Sequence, residues 1–182
     1  GCGRGDYVQW YHQRGATVTG VDVSERAVEH ARERFGDLAT FHQADLTEPF
    51  TFAADGAFDL IVSNLAFSHI EEWRPVLEEC HRVSDSGGVL VVTTVHPEYI
   101  RSGADIADYY ATERVLNDWP DVEIPTFYRP MSAVITPFAE AGYSLEMFDE
   151  PKPQPEYEKY YPDRYQDALQ RPELLVLRGR AD

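Results

Sequence analysis

The chain has 182 residues, 43% of them hydrophobic, which is enough for one domain with a sizeable core. Its 32 acidic residues against 16 basic ones give a net charge of −16, which repels a bare phosphate backbone and makes nucleic acid a poor main partner. No run is apolar enough to span a bilayer, no secretory leader is legible, and Cys2 and Cys80 are too few for a disulfide scaffold or zinc cluster, so the expected protein is soluble, cytoplasmic and reduced.

The chain opens on a glycine-rich turn, "GCGRGDY". From Asp6 to Arg14, Tyr7, Trp10 and Tyr11 fall at helical spacing, with Asp6 placed to cap and Gly15 to stop a short helix. "ATVTGVDVS" alternates through Val18, Val21 and Val23 as a strand, and Ser24 caps "ERAVEHARERFG", whose Ala27, Val28, Ala31 and Phe35 share one face. A short strand from Thr40 to Gln43 leads into "ADLTEPF", and "FDLIVSN" is a continuous apolar run that suits a strand covered on both faces. A helix is expected from about Glu72 to Val83, then a "DSGG" turn and the β-branched strand "VLVVTTV".

Strands alternating with helices imply an α/β fold with a mainly parallel, doubly wound sheet. After Val95 the rhythm breaks: residues 97–129 are aromatic, acidic and proline-containing without a strand pattern, and read as an insertion over the ligand edge of the sheet. "MSAVITPFAEAG" returns to helix, interrupted or restarted at Pro137. "YSLEMFDE" and "ELLVLRGR" are the last strands, separated by a proline- and tyrosine-rich stretch over 151–172.

Glycines at 1, 3 and 5 are by themselves a weak signal. Asp22 adds to it, because a carboxylate at the carboxyl end of the next strand can accept both hydroxyls of an adenosine ribose. Asp45 follows the strand after that, where it can accept from an adenine amine. All three features line the carboxyl edge of one parallel sheet, the ligand edge of open α/β folds.

In order along the chain, "GCGRG", "VTGVDVSERAVEHAR", "FHQADLTEPF", "FDLIVSNLAFSHIEEW" and "HRVSDSGGVLVVTT" resemble the successive motifs of class I S-adenosylmethionine-dependent methyltransferases of the small-molecule type. Ser84, Asp85 and Ser86 stand where that family often has a leucine-lysine-proline run, a departure confined to a surface turn. The resemblance implies a Rossmann-like sheet of order 3-2-1-4-5-7-6, counted by the family's own strands, with the seventh antiparallel. It implies S-adenosylmethionine as cofactor, S-adenosylhomocysteine as product, a small-molecule acceptor, and a single domain over 1–182 with the insertion as a lid. Gly1, Cys2, Gly3, Gly5, Asp22, Val23, Asp45 and Leu46 become its cofactor contacts, with Asn64 and Leu65 near the reacting methyl. In that order the strand feeding Gly1 is the central one. The expectation is therefore a fragment lacking it, with two facing rows of unpaired backbone groups.

Methyl transfer from a sulfonium is an in-line displacement that demands alignment and leaves a base optional. If the acceptor arrives protonated, His69 and His96, each just past a strand end, are the candidate bases, with a structural or solvent-exposed role as the alternative for each. His12, His30, His42 and His81 lack partners at ligand spacing, so no metal is expected. The tyrosines and Trp119 of the insertion can enclose an acceptor or simply pack, and Arg101, Arg114 and Arg129 can hold an acceptor carboxylate or pair with neighbouring acids. Two other functions are weighed. A nicotinamide-dependent oxidoreductase would need glycine where Asp6 stands, and a non-catalytic module of nucleotide-binding fold that has lost the cofactor leaves Asp22 and Asp45 without a purpose.

Lys152 and Lys159 are the only lysines, and an acid excess with scarce lysine suits concentrated salt, where screening removes self-repulsion. The melting temperature is expected to rise in molar potassium chloride. Thermal denaturation at low and high salt checks it, and a flat or falling midpoint refutes the salt-adapted reading.

Overall fold

The computed structural model describes residues 1–119 and 122–182. Pro120 and Asp121, within the expected insertion, lie outside the described residues. The chain begins with the glycine turn and α1 (Val8–His12), followed by β1 (Val18–Asp22), α2 (Glu25–Phe35) and β2 (Ala39–Gln43). The Ser24 hydroxyl accepts from Ala27 N–H at 3.3 Å and caps α2 as its sequence requires. Asp6 does not cap α1. Tyr7 holds that position, and Asp6 is drawn instead into an ion pair with Arg34 of α2 at 2.8 Å.

The second half begins with β3 (Phe58–Asn64), a 3-10 turn at Phe67–His69, α3 (Trp73–Val83) and β4 (Ser84–Val95). The glycines of "DSGG" form an irregularity inside β4 rather than a turn ahead of it, because pairing with β3 steps from Phe58–Ser84 to Leu60–Val89. Next come α4 (Pro97–Gly103), β5 (Glu113–Trp119) and β6 (Val122–Tyr128), and the last two form an antiparallel hairpin. The sequence pattern gave no strand here, since β5 is charged and Pro125 interrupts β6, a residue that antiparallel strands tolerate at an edge.

α5 (Met131–Glu140) runs unbroken through Pro137, held by the buried Val134 and Phe138 on its core face. β7 (Tyr143–Asp149), the short helices α6 (Tyr157–Tyr160) and α7 (Pro162–Ala168), and β8 (Leu174–Ala181) complete the chain.

The strands lie in three groups: β1 parallel to β2; β3-β4-β8-β7 with β8 antiparallel to both neighbours; and the hairpin. Two cores accompany the first two groups. One gathers Phe67, Trp73, Leu77, Leu90, Phe138 and Leu175, and the smaller one Val8, Val28, Ala31 and Phe41. Within β3, Leu60 and Val62 remain 45% and 43% exposed, contrary to the expectation of cover on both faces. The cause is topological: among the described residues β3 pairs with β4 alone. Among the described residues no helix is long and apolar enough to cross a membrane.

A charged clamp fastens the segment between β2 and β3 to α3. Glu79 accepts from Phe50 N–H at 2.6 Å and from two guanidinium nitrogens of Arg82 at 2.8 Å, and Arg82 also reaches Asp55 at 2.6 Å. The Arg82 hydrogen bonds, aided by Phe50 N–H and opposed by burial, lower the Glu79 carboxyl from 4.5 to about 2. Its contribution to stability is thus present above pH 4.5 and lost as pH falls toward 2. Urea unfolding of wild type and Glu79→Gln across that window is expected to show their difference shrinking as pH falls, and a constant difference contradicts the clamp.

Candidate functional site

The glycine turn folds onto the end of β1 through the backbone. Cys2 N–H donates to Val21 C=O at 2.8 Å, and Gly3 N–H to Asp22 Oδ2 at 2.7 Å. Ser24 N–H donates to Asp22 Oδ1 at 2.9 Å, so Asp22 ties the turn, β1 and the start of α2 together. Two glycines are required sterically. A side chain at Gly1 would come within 2.4 Å of Ala66 Cβ, and Gly5 has φ +77° with Phe35 of α2 at 3.0 Å from where a Cβ would sit. Cys2 is half-buried, and burial pushes its thiol up, which makes it a packing residue rather than a nucleophile.

Asp45 is exposed and closes a local turn, with Oδ1 accepting from Thr47 N–H at 2.9 Å and from Thr47 Oγ1 at 2.8 Å. Val23 is exposed just past β1, while Leu46 is partly buried against the larger core.

Asn64 and Leu65 lie across from the turn. Asn64 Nδ2 donates to the Tyr7 hydroxyl at 3.0 Å, joining the end of β3 to the residue that precedes α1. The sequence placed Tyr7 on a helix face and carried no signal for this contact. Leu65 has φ +67° in a residue with a side chain, a conformation that costs about 1 to 2 kcal/mol. It is held by Leu65 N–H donating to Thr93 C=O at 2.7 Å and by Ser68 Oγ donating to Leu65 C=O at 2.8 Å.

The two histidines occupy different environments. His96 is buried; its Nδ1 accepts from Glu98 N–H at 3.0 Å, capping α4, so its Nε2–H donates to Glu150 at 2.8 Å. Both ring nitrogens are engaged. His69 is exposed, and its Nδ1 lies 2.8 Å from Pro125 C=O of β6. A carbonyl only accepts, so Nδ1 carries the hydrogen, and in the neutral ring the lone pair is on Nε2. Pro125 was invisible as a partner because the strand that carries it was not legible.

The hairpin is anchored to the same loop a second time. Arg129 is buried, donates to Ile70 C=O at 2.5 Å and lies over the Trp73 ring at 4.4 Å. Burial lowers its guanidinium to about 10. Of the other arginines singled out, Arg101 pairs with Glu98 at 3.1 Å. The 151–172 stretch closes on α4 through Arg164, which reaches the Tyr99 hydroxyl and Glu173, both at 2.9 Å, while Tyr157 donates to Glu173 at 2.9 Å.

These residues fit an adenosyl cofactor. A turn that excludes side chains at Gly1 and Gly5 is held against a carboxylate at the carboxyl end of β1, and a second carboxylate stands past β2.

Comparison with known proteins gives the following. Residues 1–92 match the family described as "Methyltransferase domain". An uncharacterized protein of Haemophilus influenzae is 28% identical over 99% of this chain and 78% of its own length. A ubiquinone biosynthesis O-methyltransferase of Pseudomonas paraeruginosa is 29% identical over 53% of this chain and 42% of its own length. A malonyl-[acyl-carrier protein] O-methyltransferase of Salmonella typhimurium is 37% identical over 52% of this chain and 37% of its own length. The chain thus spans well under half of the two named enzymes. In fold, a solved putative S-adenosylmethionine dependent methyltransferase from Listeria monocytogenes superposes with a TM-score of 0.85, at 20% identity, over 100% of this chain and 87% of that one.

Proposed function

The chain belongs to the methyltransferase-domain family, as a class I S-adenosylmethionine-dependent methyltransferase, and we propose that it methylates a hydroxyl oxygen of a small-molecule acceptor with His69 as the base. When bound, S-adenosylmethionine supplies an electrophilic methyl carbon. The turn of Gly1, Cys2, Gly3 and Gly5 leaves the backbone open to the cofactor, Asp22 accepts from the ribose hydroxyls, and Asp45 accepts from the adenine amine. Val23 and Leu46 flank the adenosine, and Asn64 and Leu65 border the reacting end.

The observation that carries the reading is the hydrogen bond from His69 Nδ1 to Pro125 C=O, which in the neutral ring places the lone pair on Nε2. A hydroxyl must lose its proton as its oxygen gains a carbon, and Nε2 takes that proton while the carbonyl on Nδ1 steadies the cationic ring. The protein's remaining task is to hold the acceptor oxygen in line, about 3 to 3.5 Å from the methyl carbon, and to exclude water. His96, with both nitrogens engaged, is a positioning residue between α4 and Glu150. Oxygen as the acceptor atom is supported by the two named relatives, both O-methyltransferases.

A mass-shift screen of phenols, aliphatic alcohols, carboxylates and amines tests the proposal. Methylation of a hydroxyl compound is expected. Transfer to amines alone overturns the choice of oxygen, and transfer to carboxylates alone removes the need for a base.

A further inference from the structure

The loop that carries His69 is held from outside. Leu65, at its start, has φ +67°, and backbone strain of this kind persists only where surrounding contacts over-determine it. Three side chains supply those contacts, carbonyl by carbonyl. Ser68 Oγ donates to Leu65 C=O at 2.8 Å, Trp73 Nε1–H to Phe67 C=O at 2.8 Å, and Arg129 to Ile70 C=O at 2.5 Å. His69 lies between the last two fixed carbonyls, and both lead back to one residue, because the Arg129 guanidinium lies over the Trp73 ring at 4.4 Å.

A neutral donor would suffice to hold a carbonyl, yet a buried cation stands here. Arg129 is 3% exposed, and the carboxylates that act on it, Glu72 and Glu71, do so without a hydrogen bond. Burying a charge without a paired carboxylate is unfavourable unless the group does something a smaller one does not. A guanidinium is planar, so it stacks on an indole and donates from its edge in the same pose, which an ammonium does not.

We infer that Arg129 is a positioning residue for methyl transfer: directly at Ile70, and through Trp73 at Phe67, it fixes the backbone on both sides of His69 and so aims the imidazole. The inference rests on His69 as the base, and it gives Arg129 no contact with cofactor or acceptor. Without that support the ring leaves Pro125 C=O for part of the time. A histidine ring in water carries its hydrogen mainly on Nε2, so a ring that leaves has no lone pair there for the acceptor's proton.

The test is Arg129→Lys, which keeps the charge and loses the planar fork. Long-range proton–nitrogen NMR correlation of the imidazoles at alkaline pH, where the rings are neutral, reads the tautomer directly. Wild type is expected to show His69 with its hydrogen on Nδ1 and Arg129→Lys a mixture, while His96, with its hydrogen on Nε2, is unchanged in both. On the hydroxyl acceptor kcat is expected to fall about 100-fold, the effect of a small misplacement of a reacting group. Affinity for S-adenosylhomocysteine stays within twofold, and Arg129→Lys added to His69→Ala costs no further kcat. Trp73→Phe keeps a ring beneath the guanidinium and removes the donor to Phe67; it is expected to shift the tautomer the same way, and it carries the test if Arg129→Lys does not fold. Hydrogen retained on Nδ1 in every folded variant overturns the positioning role, and so does an additive loss in the double variant. A shifted tautomer in Arg129→Lys with unchanged kcat in His69→Ala supports the aiming of the ring and sinks only the base.

Discussion

Asp22→Ala is expected to weaken binding of S-adenosylhomocysteine by at least about 100-fold in calorimetric titration. Two ribose hydroxyls lose a charged acceptor worth about 1.5 to 3 kcal/mol each, and roughly 3 kcal/mol in total already corresponds to more than a hundredfold. A second effect adds to this, since Asp22 also holds Gly3 N–H at 2.7 Å and Ser24 N–H at 2.9 Å, and the turn loses its anchor with the carboxylate. Asp22→Asn separates the two. It keeps an acceptor for one backbone N–H but turns an amide donor toward the rest, so an intermediate loss is expected. Wild-type affinity in Asp22→Ala refutes the ribose assignment.

His69→Ala is expected to lower kcat on the hydroxyl acceptor by about 100- to 10,000-fold, the usual range for loss of a positioned base. Affinity for S-adenosylhomocysteine should stay within twofold, because no cofactor contact is assigned to His69. His96→Ala is expected to behave differently, reducing thermal stability through loss of the α4 cap and the Glu150 contact. An unchanged kcat in His69→Ala overturns its role as base.

The positions of the turn, Asp22 and Asp45 in the fold were legible because each is a local signal: glycine spacing, and a carboxylate at or just past the end of a strand. Most helices and strands of the half-sheets were legible for the same reason. The hairpin was not, because β5 and β6 are stabilised by pairing with each other and by docking on the loop after β3, while their residues are charged or proline-interrupted. The Asp6 cap failed because an arginine close in space, Arg34, outcompeted a backbone amide that sequence distance favours. The distinction between His69 and His96 lay in tertiary contacts, with Pro125 in one case and Glu150 in the other, together with the local cap that His96 makes to Glu98 N–H.

The double attachment of the hairpin couples access to reactivity. Pro125 C=O sets the proton on His69, and Arg129 pins Ile70 one residue later, so any displacement that opens the hairpin also frees the imidazole to change tautomer and turn. On the proposed role of His69, a ring released in this way is a base without its fixed tautomer.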